Sequence, residues 1–99
     1  MKGAPIKCEK FNCHCCSSLT SLEGAPKECE EFNCDKCNNL TSLEGAPKEC
    51  KKFSCRGCKI LTSLKGAPGK CRSFYCKGCK GNFTMEDVKK VCDAKTIKC

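Results

Sequence analysis

Tryptophan is absent, tyrosine and histidine occur once each, and only four prolines and eight glycines punctuate the 99 residues. No apolar run approaches the roughly 20 residues of a helical membrane span, so none is expected. The opening MKGAPIKCEK has no apolar stretch of the kind a secretory signal carries. A reducing, cytoplasmic setting follows as the expectation, and a disulfide-stapled secreted scaffold is disfavoured. Catalytic signatures are equally scarce. The single histidine completes no Ser/His/Asp set, and neither a phosphate-cradling Gly-rich loop nor a nucleotide fingerprint is present. The reading is of a protein that is not an enzyme.

What the chain has in excess is cysteine. There are fifteen, an odd number that internal pairing alone cannot exhaust. Their order is periodic. Gly3-Ala4-Pro5, Gly24-Ala25-Pro26, Gly45-Ala46-Pro47 and Gly66-Ala67-Pro68 recur every 21 residues, and each unit carries Cys-x4-Cys-x2-Cys. The three columns are Cys8, Cys29, Cys50, Cys71, then Cys13, Cys34, Cys55, Cys76, then Cys16, Cys37, Cys58, Cys79. Cys15, Cys92 and Cys99 stand outside them. A 21-residue unit is too short for a helical hairpin and fits one turn of a solenoid.

Read from its first cysteine, a unit is Cys-x-x-Phe-x-Cys-x-x-Cys-x-x-Leu-x-x-Leu followed by Gly-Ala-Pro. This resembles the leucine-rich repeat, in the short form found in bacteria and their phages, and LTSLEGAP resembles repeats of that kind. The resemblance covers about residues 3–82. It implies a β-solenoid of four rungs with parallel strands, and a host cytoplasm if the chain is phage-encoded. Cysteine stands at two usual leucine positions and at the ladder asparagine position, where buried cysteine is a known variant.

The residues agree. Phe11-x-Cys13, Phe32-x-Cys34, Phe53-x-Cys55 and Phe74-x-Cys76 alternate as strands do, with Asn12, Asn33, Ser54 and Tyr75 expected to point outward. Gly-Ala-Pro turns the chain into the next rung. Residues 1–82 are read as the solenoid and residues 83–99 as a C-terminal helical cap. There Thr84 and Asp87 form a capping box, Phe83 and Val88 occupy staple positions, and Met85, Val88, Val91 and Cys92 share a face. The N-terminal rung has no such cap, so a homodimer through its open edge is expected.

Replacing branched aliphatics by cysteine in successive rungs thins the core, and a small scaffold then needs a staple. Equivalent cysteines of adjacent rungs stack about 4.8 Å apart. Two neighbouring rungs thus offer four sulfurs: Cys13, Cys16, Cys34 and Cys37 below, and Cys55, Cys58, Cys76 and Cys79 above. Four thiolates suit an iron–sulfur cluster or zinc. The bulkier guest fits a thinned core better, so two 4Fe-4S clusters are the first expectation, in an electron-transfer, redox or structural role with an unidentified redox partner. Zinc is the alternative cofactor. The alternative function is a metal-free interaction module in which cysteine merely fills the core. The column from Cys8 to Cys71, with Cys92 and Cys99, could complete other four-thiol sets. His14 and Cys15 fall at an outward turn, where a solvated histidine and an exposed thiol are expected.

Charge is lopsided along the chain. Residues 1–49 hold six lysines against eight acids, and residues 50–99 hold eleven lysines and two arginines against three acids. Lys51, Lys52, Arg56, Lys59, Arg72, Lys77 and Lys80 would line the strand side and its turns. Solubility or assembly explains this surplus first and compensation of cluster charge second. Nucleic acid comes last, because the patch has one aromatic residue, few arginines and no known module.

Overall fold

Each repeat becomes one coil of a β-solenoid. The computed structural model describes residues 7–99, with Lys7 and Cys8 described by backbone alone. Strands β1 (Lys7–Asn12), β2 (Glu28–Asn33), β3 (Glu49–Ser54) and β4 (Lys70–Tyr75) are followed by helix α1 (Met85–Val91) and strand β5 (Asp93–Lys98). The five strands form one parallel sheet in chain order. Its register follows the repeat through the first four strands, with Phe11 opposite Phe32, Phe32 opposite Phe53, and Phe53 opposite Phe74. Among the described residues no helix is long and apolar enough to cross a membrane.

The strands lie slightly upstream of the expected Phe-x-Cys segments, ending before Cys13, Cys34, Cys55 and Cys76. Asparagine supplies the reason in the first two rungs. The Oδ1 of Asn12 and Asn33 accepts from the main-chain N–H two residues on, at 3.0 and 2.8 Å. This Asx turn bends the chain away from the sheet. Ser54, expected to face outward, is instead buried beneath Asp35 and Arg56.

Gly-Ala-Pro makes a second corner. Ala25, Ala46 and Ala67 donate their N–H to Leu22, Leu43 and Leu64. Gly24, Gly45 and Gly66, with φ of 89°, 98° and 90°, occupy the left-handed position of a type II turn. Rungs also approach closely there. A Cβ on Gly66 would lie 2.4 Å from the main chain of Glu44 in the rung below.

The prolines after these turns correct the expectation of a thin interior. Pro26, Pro47 and Pro68 are fully buried, alongside Leu22, Leu40, Leu43 and Leu61. The phenylalanines stack face to face through the coil, with centroids 5.2–5.3 Å apart from Phe11 to Phe74. Each rung therefore contributes proline to the core as well as phenylalanine and leucine.

The C-terminal cap departs from a purely helical one. Thr84 and Asp87 do form the capping box, with the Thr84 N–H donating to Asp87 at 2.9 Å and the Asp87 N–H donating to Thr84 at 3.2 Å. Those donors hold the Asp87 carboxyl below its ordinary pKa. Of the expected apolar face, Val88 and Cys92 are buried, whereas Met85 and Val91 remain exposed. Seven residues lay only one turn against the core. The chain then returns as β5, placing Ala94 opposite Cys71 and Ile97 opposite Phe74. The first Gly-Ala-Pro lies outside the described residues; among those described, β1 is the edge strand of the sheet and pairs with β2.

Candidate functional site: the cysteine columns

The second and third columns run together through the interior, just past the strand ends. Cys34, Cys37, Cys55 and Cys58 are fully buried, and Cys16 in the first rung is half-buried. Their sulfurs meet main chain. Cys37 donates to the Cys13 carbonyl at 3.1 Å, Cys58 to Cys34 at 3.3 Å and Cys79 to Cys55 at 3.0 Å, each bond reaching one rung back. In the second column Cys13 donates to the Asn33 carbonyl at 3.4 Å and Cys34 to Ser54 at 3.3 Å. The sheet ladder extends into the same corner, where Cys13, Cys34 and Cys55 donate their N–H to the last strand residue of the next rung. A weak S–H donor thus links carbonyls that the turning chain leaves behind.

Burial holds most of these thiols protonated. Cys13 is pushed up to about 12, first by burial and then by Cys37 and Cys16 beside it. Cys76 rises to about 12, through burial and then the proximity of Cys99. Burial also raises Cys34 and Cys37. Cys55, Cys58 and Cys79 titrate as a unit. Hydrogen bonding with Cys55 and Cys58 lowers Cys79, and the same bonds raise the other two.

The eight expected ligands are therefore brought together, but as one continuous run. Cys34, assigned to the lower set, feels Cys13 and Cys37 on one side and Cys79 on the other. Cys55, Cys58 and Cys79 are mutual neighbours. Even so, no group of three or more ligating side chains among the described residues encloses a point at metal-ligand distance. The sulfurs point at carbonyls of adjacent rungs and do not converge on a shared centre.

The first column behaves differently. Cys29, Cys50 and Cys71 line a cavity of about 370 Å³ on the sheet, together with Glu30, Glu49, Lys51, Lys70, Arg72, Asp93 and Lys95. Cys29 donates to the Glu31 carbonyl at 2.8 Å, but at the last rung sulfur meets sulfur, the Cys71 and Cys92 Sγ atoms lying 3.3 Å apart. A signal for that contact was available, since Cys92 lies one further 21-residue period beyond Cys71. The fragment Ala94-x-x-Ile97-x-Cys99 likewise repeats the frame Cys71-x-x-Phe74-x-Cys76 and marks β5.

Outside the thiols, ion pairs link adjacent rungs on the sheet and at its corners. Glu30 pairs with Lys51 at 3.4 Å, Lys10 with Glu31 at 3.8 Å and Glu44 with Lys65 at 3.5 Å. Asp35 is the buried member of the group. It accepts from the Ser54 hydroxyl, the Arg56 N–H at 2.7 Å and the Arg56 guanidinium at 3.1 and 3.3 Å. Lys52 and Arg56 also lie over the ring of Tyr75, 5.4 and 5.7 Å from its centroid. His14 and Cys15 are exposed as expected. No protein-family model, curated protein or solved structure matches the chain.

Proposed function

We propose that the chain is an interaction module that takes an acidic protein segment on its sheet, with cysteine as a structural core residue. The observation that carries this reading is the interior S–H to carbonyl ladder. Those thiols already have partners as thiols, and phenylalanine, leucine and proline fill the space around them. Function then falls to the displayed face. Acids of the second rung offset bases of the third there, through Glu30–Lys51 and Asp35–Arg56. Beyond them Lys70, Arg72, Lys77, Lys95 and Lys98 are exposed, with Asp93 as the acid of β5. A partner rich in glutamate or aspartate complements that end.

Two measurements test this. Protein purified without oxygen is expected to be colourless, folded in the presence of chelator, and fully titratable as thiol after denaturation. Poly-glutamate should bind with an affinity that falls as salt rises and is lost in an Arg72→Glu/Lys95→Glu variant. Stronger retention of an oligonucleotide than of poly-glutamate would replace the acidic protein by nucleic acid.

A second reading has its own support in the contact among Cys55, Cys58 and Cys79. The thiolate is the form that ligates a metal, and Cys79 is the member of that group whose pKa is lowered. On that reading the eight interior cysteines rearrange around 4Fe-4S clusters, or around zinc. A brown protein with stoichiometric iron and acid-labile sulfide would establish the cluster, and a colourless one that unfolds on chelation would establish zinc.

A further inference from the structure

Cys71 of the first column and Cys92, which belongs to no column, form a buried thiol pair that the interior ladder does not use. Cys71 sits on β4 and lines the cavity, while Cys92, at the C-terminus of α1, is buried behind it. The position of Cys92 is fixed from both sides. Its N–H closes the helix by donating to Val88 at 2.8 Å, and the next residue, Asp93, donates to Gly69 at 2.9 Å to begin β5. Held in this way, its sulfur is 3.3 Å from that of Cys71. A disulfide bond is about 2.05 Å long, so closure needs a movement of little more than ~1 Å.

We propose that Cys71 and Cys92 form a dithiol–disulfide couple, oxidised by a small soluble disulfide entering the cavity, and that the bond pins the C-terminal cap to the fourth rung. Cys71 reacts first because it faces the cavity. Its thiol gives a proton to solvent, and the thiolate attacks one sulfur of the small disulfide. A mixed disulfide forms and one small thiolate leaves. Cys92 then loses its proton and attacks the Cys71 sulfur, expelling the second small thiolate, and both leaving groups take up protons. Two protein thiols are oxidised and one small disulfide is reduced to two thiols. A cavity of about 370 Å³ lies in the size range of small-ligand sites. Exchange is slow at neutral pH, because the Cys50 thiol and burial raise Cys71, and burial with Cys71 itself lifts Cys92 to about 12.

The test uses the full chain carrying Cys15→Ser and Cys99→Ser, which removes the two thiols exposed among the described residues. The reduced protein is incubated for hours with oxidised glutathione and mapped as peptides without reduction. The expected product is a Cys71–Cys92 cross-link, with amide exchange in β5 slowed roughly tenfold or more. In a further Cys92→Ser variant the reaction is expected to stop at a glutathione adduct on Cys71. A Cys50–Cys71 bond, a Cys92 adduct without one on Cys71, or a folded protein unmodified at both positions would each overturn the assignment.

Discussion

One residue type, repeated at one spacing, does two different things in this molecule. In the interior columns cysteine sulfur meets carbonyl oxygen, as in Cys58 to Cys34. Where the last rung meets the cap, Cys71 of the first column instead meets the sulfur of Cys92 beside a cavity. The difference lies in the main chain. The corner after each strand turns carbonyls toward the core, where a thiol is a usable donor. On the strand a first-column sulfur can still reach a carbonyl, as Cys29 does with Glu31 at 2.8 Å, but at the last rung the arriving helix end puts the Cys92 sulfur against Cys71. Spacing sets where a thiol lies, and the local backbone sets what it does.

The largest expected effect comes from removing the corner that holds both columns in register. Gly66→Ala places a Cβ against the Glu44 backbone at a φ of +90°. It should cost about 3 kcal/mol or more in urea unfolding. In that variant interior and first-column thiols should be alkylated at similar rates; a retained difference in rate would show that the corner does not set the columns.

Next in size is a direct contrast between the columns. Cys58→Ala removes a fully buried sulfur and its bond to Cys34, for an expected loss of about 1–2 kcal/mol. Cys50→Ala, at the cavity, should cost less than about 1 kcal/mol. Equal losses would erase the distinction.

Alkaline pH sharpens the same comparison. Cys13, Cys76 and Cys92, each lifted to about 12 from the ordinary 9.0, bind their protons more tightly folded than unfolded. Their contribution to stability is complete below pH 9 and declines as pH rises from 9 toward 12. Urea midpoints should stay level between pH 7 and 8.5 and then fall, with thiolate absorbance rising alongside unfolding. Constant stability up to pH 11 would refute the protonated ladder.

The smallest effect concerns the corner after the strand. Gly57 and Gly78 hold left-handed conformations there, and so do Cys15 and Lys36, with φ of 61° and 58°. Lys36→Gly should therefore raise stability by about 0.5–1 kcal/mol, read as a shift in melting temperature.

Much of the fold is legible in the sequence. The interval between Gly-Ala-Pro triplets gave the rung, Cys-x-x-Phe-x-Cys gave the inward positions, and Thr84 with Asp87 gave the start of the helix. The pockets of error are instructive. Ser54 reads as an outward polar residue, yet Asp35 from the rung below and Arg56 cover it, a contact between residues about 20 positions apart. The prolines read as turn residues only, although stacking buries them. Strand β5 is masked in the period because helix α1 shifts its phase by two residues, from 21 to 23 between paired positions.

The sequence alone determined the coil, its rung length and the side of the chain facing the core. Periodicity is a local property that each unit states for itself. Only the tertiary structure decided what each sulfur touches, because a thiol's partner is supplied by the neighbouring rung, across the coil axis. That is why Cys13, Cys34, Cys37, Cys58 and Cys79 each donate S–H to a carbonyl of an adjacent rung, while Cys92, outside the expected columns, comes to rest against Cys71.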